Sequence, residues 1–232
     1  MRSDHHMSKA LYIVATPIGN LEDITLRAIE TLKEADVILC EDTRVTKKLL
    51  ARYAIQKPIQ SYHQHSKLSK TEHILGMLEE GKSIALVSDA GTPGISDPGG
   101  MLVEAVVARF GDEVKIVPIP GANAALAALS VSGFPADAFR FLGFPPHKKG
   151  RKTFFEKLAG MEETAVFYES KHRIEKALEE LVKNIGVRPI MVARELTKQF
   201  ETLYRGTAEE CLARLRADKI LGEFVIVVRT VA

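Results

Sequence analysis

The chain has 232 residues, 46% of them hydrophobic and 27% charged, which suits one large globular domain or two small ones and excludes a disordered segment. Its 16 glycines and 10 prolines exclude a collagen-like repeat, and two distant cysteines, Cys40 and Cys211, exclude a disulfide scaffold or a thiolate metal cage. A balance of 32 basic against 30 acidic residues leaves the partner class open.

Met1 to His6 reads as a leader, with Met7 as the native start and no apolar signal segment behind it. Leu11–Ala15 reads as a buried strand, followed by a Pro/Gly turn and a helix over 24–33. A strand over 37–40, a helix over 43–53, a helix over 68–79, a strand over 83–87, a helix over 99–109 and a strand over 114–117 complete a βαβ rhythm around a mostly parallel sheet. The longest apolar run, from Ile116 to Phe134, is broken by Pro118, Pro120, Gly121 and Asn123, so no membrane span is expected.

The second half reads differently. After Phe139–Phe144 and the Pro145-Pro146 step comes a helix over 153–159, then strands over 164–168, 189–194, 201–205 and 223–229, with helices over 172–183 and 208–217. The last strands flank a short helix, which predicts a mixed sheet with an antiparallel member. The domains expected are 8–118 and 119–232. Split at residue 117, the first half carries 14 basic and 16 acidic residues and the second 18 and 14. The basic excess centres on His147 to Lys152, a candidate footprint for a polyanion.

Three loops at strand ends stand out, because ligands of open α/β sheets gather at the carboxyl ends of strands. Thr16-Pro17-Ile18-Gly19-Asn20 follows the first strand. It matches neither the dinucleotide nor the P-loop glycine pattern, which argues against a nicotinamide site and nucleotide hydrolysis. Ser88 to Gly100 combines four glycines with two prolines and two aspartates, the densest set of special backbone positions in the chain. Pro120-Gly121-Ala122-Asn123 opens a run of small residues suited to close approach by a ligand or by another backbone. Glu41-Asp42-Thr43-Arg44 offers carboxylates and a guanidinium at the second strand end, with Asp42 or Thr43 equally suited to capping the next helix. In the second half, Tyr168-Glu169-Ser170 and Arg194-Glu195-Leu196-Thr197-Lys198 end strands. His172 is a candidate base or a helix-start residue, and His63 with His65 gives a weak metal signal.

Taken together, VATPIGNLEDIT (14–25), EDTR (41–44), SDAGTPGISDPG (88–99), IPGANAALAAL (119–129), FLGFPP (141–146), FYESKHRI (167–174), ARELTK (193–198) and GEFVIVV (222–228) resemble the tetrapyrrole methylase superfamily. They are most similar to its bacterial branch that methylates a ribose 2′-hydroxyl of 16S rRNA, at cytidine 1402 in the 30S subunit. One departure is Lys171, at a position where relatives commonly carry proline. The resemblance implies a bilobal α/β fold, a homodimer and S-adenosylmethionine held in a cleft between the lobes, while the lack of a targeting signal and the two cysteines point to the cytoplasm. It assigns the cofactor to Thr16, Pro17, Gly19 and Asn20, and to Asp89, Ala90, Gly91, Thr92, Pro93, Gly94, Ile95 and Ser96. Pro120, Gly121, Ala122, Asn123, Tyr168 and Gly222 complete that set.

A ribose hydroxyl is a weak nucleophile and a sulfonium methyl an activated electrophile, so the chemistry asks for in-line placement and a path for the proton, with no metal. Glu169 or Glu195 is expected nearest the ribose, with Arg194 and Lys198 holding phosphate or locking the cleft. Arg44, Lys148, Lys149, Arg151, Lys152 and Arg173 are expected to contact RNA. Two alternatives are a methylase of corrin or porphyrin precursors and a non-catalytic RNA-binding factor on the same scaffold.

Overall fold

The apolar runs of the first half become the strands β1 (Ala10–Val14), β2 (Val37–Cys40), β3 (Ile59–Ser61), β4 (Ser83–Val87) and β5 (Lys115–Ile119). A computed structural model describes residues 9–63, 68–97 and 99–231; the expected leader and start at Met1–Met7, as well as His65 and Pro98, lie outside the described residues. The five strands pair in parallel in the order β3-β2-β4-β1-β5. Every residue of β2 and β4 is buried, as a parallel sheet covered on both faces requires. Alternate residues of β4 feed opposite cores: Ile84 and Leu86 pack with Leu11, Ile74, Leu78 and Leu102, while Ala85 and Val87 pack with Val14, Leu32, Ile38 and Leu50.

The helices between them are α1 (Leu26–Glu34), α2 (Thr43–Arg52), α3 (Leu68–Glu79) and α4 (Gly100–Phe110). α1 begins later than the apolar spacing suggests because Thr25 caps it, its hydroxyl accepting from the Ala28 N–H. Asp42 caps α2 through the Arg44 N–H at 2.8 Å. β3 was invisible in the sequence because it has three residues, all of them only half-buried, at the edge of the sheet.

The contacts of the chain divide between Asn123 and Ala124. The second unit holds α5 (Ala124–Ser132), β6 (Phe139–Phe141), α6 (Arg151–Ala159), β7 (Thr164–Ser170), α7 (Ile174–Ile185), β8 (Ile190–Arg194), β9 (Thr202–Gly206), α8 (Ala208–Ala217) and β10 (Glu223–Val228). Its sheet runs β6-β7-β10-β8-β9. Only β6 and β7 are parallel; β10 is antiparallel to β7 and β8, and β8 to β9, so the sheet is more antiparallel than expected. Phe224, Ile226 and Val228 join the core with α6, α7 and α8, while Val225 and Val227 face α5. α6 starts at Arg151 rather than 153 because Gly150, in the left-handed region at φ 88°, turns the chain into it. No helix of the described residues is long and apolar enough to cross a membrane.

Candidate active site

β1, β4 and β5 end in register, with Val14 opposite both Val87 and Ile119, so the loops that follow leave one edge side by side. Polar groups lace them together. Thr16 and Gly91 exchange backbone hydrogen bonds at 2.9 and 3.1 Å, and the buried Thr16 hydroxyl donates to the Ser88 carbonyl at 3.1 Å. Ser88 in turn donates to the Gly91 carbonyl at 2.9 Å, and Thr92 to the Ala122 carbonyl at 3.3 Å. Gly121 lies so close to β1 that a Cβ there would sit 3.0 Å from the Ala15 Cβ.

The structure thus brings Thr16, Gly91, Thr92, Gly121 and Ala122 together. Pro17 and Pro93 are buried beneath the loops, while Gly19, Asn20, Ala90, Gly94, Ile95, Ser96 and Pro120 reach the surface and Asn123 is half-buried. Ser96 holds a left-handed φ of 59°, an uncommon and strained state for a residue with a side chain. Asp89 is the only charged residue among 16–20, 89–96 and 120–123.

Beside these loops an open cavity of about 440 Å³ is lined by Glu41, Asp42, Thr43, Arg44, Ser61, His63 and Asp89. Arg44 grips the Asp42 carboxylate, with Nη2 at 2.6 Å, and its hydrogen bonds hold the Asp42 pKa down at about 2. Asp89 accepts the Asp42 N–H at 3.0 Å, tying the β2 loop to the β4 loop. Ser61 closes β3, a strand with no clear sequence signal, and His63, two residues beyond it, lines this cavity in place of the weak metal role its spacing to His65 suggests. Among the described residues no cluster of His, Cys, Asp and Glu could hold a metal ion.

In the second unit the expectations for Glu169, Arg151, Arg173 and Arg194 need correction. Glu169 does not face a ligand: it is 1% exposed at the end of β7 and locked between two arginines. Its Oε1 meets Arg173 Nη2 and the Ser170 N–H, each at 2.9 Å, and its Oε2 accepts from both Arg151 terminal nitrogens at 3.2 Å. A carboxylate removed from water needs such partners, and Arg151, itself buried, is consumed in supplying them. Arg151 is therefore not a phosphate contact, and Arg173, with 17% of its side chain exposed, is mostly turned inward too. Both arginines also hold the chain before α6, donating to the carbonyls of Pro146 and Pro145. Lys148, Lys149 and Lys152 are left exposed, as is Arg44 in the first unit. His172 is exposed in the turn ahead of α7 and makes no cap to it.

Glu195 occupies the left-handed region at φ 52°, immediately after β8. Its Oε1 accepts from Lys198 Nζ at 2.9 Å and from the Glu223 N–H at 3.0 Å, and Lys198 reaches Glu223 at 3.0 Å as well. Burial pushes the Glu195 pKa up, but these hydrogen bonds and charges outweigh it and leave it lowered. Gly222 makes this packing possible: a Cβ on it would stand 2.2 Å from Glu195 Oε1. Arg194 departs from the group. It donates to the Lys219 carbonyl at 2.9 Å and the Tyr204 hydroxyl at 3.3 Å, so it braces its own unit rather than gripping phosphate. The Tyr168 hydroxyl accepts the Ala125 N–H at 3.2 Å, and its ring stands edge-on to Phe141 and Phe144.

The family of Tetrapyrrole (Corrin/Porphyrin) Methylases matches residues 10–212. The chain belongs to this family. It is 49% identical over 219 residues to the Ribosomal RNA small subunit methyltransferase I of Halalkalibacterium halodurans, covering 94% of this chain and 75% of that one. The protein of the same name from Thermotoga maritima is 46% identical over 217 residues, covering 94% and 96%. Within the tetrapyrrole methylases the chain therefore falls in the ribosomal branch, and it is a methyltransferase. The crystal structure of the methyltransferase CobJ shares the fold with a TM-score of 0.70 at 22% identity, over 96% of this chain and 95% of that one.

Proposed function

We propose that the chain transfers a methyl group from S-adenosylmethionine to the ribose 2′-hydroxyl of cytidine 1402 of 16S rRNA in the 30S subunit, acting in the cytoplasm as a homodimer. The observation that carries the cofactor assignment is the donor set of the laced loops, which has one carboxylate and no cation. A phosphate-bearing dinucleotide would meet repulsion there. A ligand with an ammonium, a sulfonium and ribose hydroxyls fits a carboxylate among backbone amides and carbonyls.

S-adenosylmethionine, when bound, supplies an activated methyl group. The residues that hold it are Thr16, Pro17, Gly19 and Asn20, Asp89 to Ser96, and Pro120 to Asn123, with Asp89 accepting hydrogen bonds from its hydroxyl or ammonium groups. Tyr168 and Gly222 join this set on the family likeness. Glu195 and Lys198 serve the acceptor ribose. Glu195 has a lowered pKa and is a weak base, so it orients the 2′-hydroxyl by accepting its hydrogen bond, and the proton leaves to water as the methyl is transferred. Lys148, Lys149 and Lys152 contact RNA phosphates, which position the substrate without reading its sequence.

The test incubates the protein with labelled S-adenosylmethionine and, separately, 30S subunits, free 16S rRNA and a tetrapyrrole precursor. Label resistant to base hydrolysis in the 30S particle is the expected result. Label only in the tetrapyrrole would overturn the substrate assignment, and no transfer to any of the three would overturn the activity.

A further inference from the structure

The carboxyl edge of the first sheet carries two kinds of surface. Over β4, β1 and β5 lie the laced glycine-rich loops. Over β3, β2 and β4 lies the cavity of about 440 Å³, a size suited to one small organic ligand. Asp89 stands on the border, and no other residue of the laced loops lines the cavity.

The lining decides what can bind. Glu41, Asp42 and Asp89 repel phosphate and favour a group that donates hydrogen bonds. Two of these carboxylates are already engaged, since Asp42 is gripped by Arg44 and caps α2, and Asp89 accepts the Asp42 N–H. Glu41 differs. It is half-buried, and its carboxylate makes no hydrogen bond or ion pair among the described residues. A partly desolvated carboxylate facing a cavity is an acceptor waiting for an external donor. His63 adds a ring for stacking, and Arg44, with 87% of its side chain exposed, can meet a flanking phosphate.

We propose that this cavity receives the target base, with Glu41 accepting from an exocyclic amine and so selecting cytosine over uracil. The assignment rests on the rRNA reading above. The chemistry is that of base recognition generally: a carboxylate accepts from cytosine N4 and repels uracil O4. The cofactor also carries an amine, so the test must separate the two sources.

Glu41→Gln provides that separation, because an amide can donate to uracil O4 as well as accept from cytosine. Small subunits are reconstituted with 16S rRNA bearing cytidine or uridine at the methylated position. Transfer to each is measured, together with the dissociation constant for S-adenosylmethionine and the thermal unfolding of the protein. The expected result is a fall of about tenfold in the cytidine-to-uridine ratio of kcat/KM, with cofactor affinity and unfolding unchanged. An unchanged ratio with intact activity would overturn the proposal, and weakened cofactor binding with an unchanged ratio would assign the cavity to the cofactor instead. Failure of the wild-type protein to methylate either particle would bring down the rRNA reading itself, and this inference with it.

Discussion

Replacing Glu169 by Gln removes the charge that two buried guanidinium groups were folded around. Removing one partner of a buried ion pair costs about 3–5 kcal/mol, chiefly because the remaining charge is stranded. Here the figure belongs at the low end, about 3 kcal/mol, since the Gln carbonyl still accepts one hydrogen bond and Arg173 retains 17% of its side-chain exposure. For a protein of this size that corresponds to a fall of about 6–12 °C in the unfolding temperature. The companion variant replaces the whole cluster, combining Glu169→Leu with Arg151→Met and Arg173→Leu. It is expected to unfold within about 1 kcal/mol of the parent, because no charge is stranded. It should nevertheless bind RNA more weakly, since Pro145 and Pro146 lose the guanidinium groups that anchor the segment carrying Lys148 and Lys149. Urea unfolding of the three proteins, followed by circular dichroism, decides the matter. A Glu169→Gln protein within about 0.5 kcal/mol of the parent would refute the reasoning, because a buried charge cluster cannot lose its anion so cheaply.

Replacing Lys148, Lys149 and Lys152 together by Ala should lower the slope of log affinity against log salt by about 2, on roughly 0.7 per phosphate contact, and leave cofactor affinity untouched; filter binding across a salt series measures both. Gly222→Ala should cost about 1–3 kcal/mol in unfolding and weaken methyl transfer, because φ is 91° and the new Cβ displaces the Glu195 carboxylate; recovery of part of the stability, but not of methyl transfer, on trimming Glu195 to Ala would support that cause. Asp42 should titrate near pH 2 by NMR. Its folded pKa lies below the unfolded value, so its contribution is present above about pH 4 and is lost as the pH falls toward 2. Arg44→Ala should return the midpoint toward 3.8, and a midpoint already at 3.8 in the parent would contradict the grip that Arg44 exerts.

The parallel sheet was legible because a strand covered on both faces must be apolar throughout, and ILC of β2 and SIALV of β4 satisfy that rule visibly. Loops after β1, β4 and β5 announced themselves by glycine and proline density, and the hydrogen bonds that join Thr16 to Gly91 and Thr92 to Ala122 show what that density serves. β3 and β6 were unreadable, being three residues long and nowhere fully buried, and Ser61 was lost with β3, while His63 was legible only as a weak metal signal. The basic run posed a different problem. Lys149, Arg151 and Lys152 look alike in sequence, and what turns Arg151 inward is a carboxylate on β7, 18 residues away. Arg194 and Glu195 are neighbours in sequence, yet one braces β9 while the other folds back over Gly222. Composition records the charges but not the partners that neutralise them.

The most direct measurement is mass spectrometry of nucleosides from 30S subunits that lack the modification, after incubation with the protein and S-adenosylmethionine. One 2′-O-methylcytidine per particle, mapped to position 1402, is the result predicted. Methylation of a base, or of any ribose other than that one, would contradict the account.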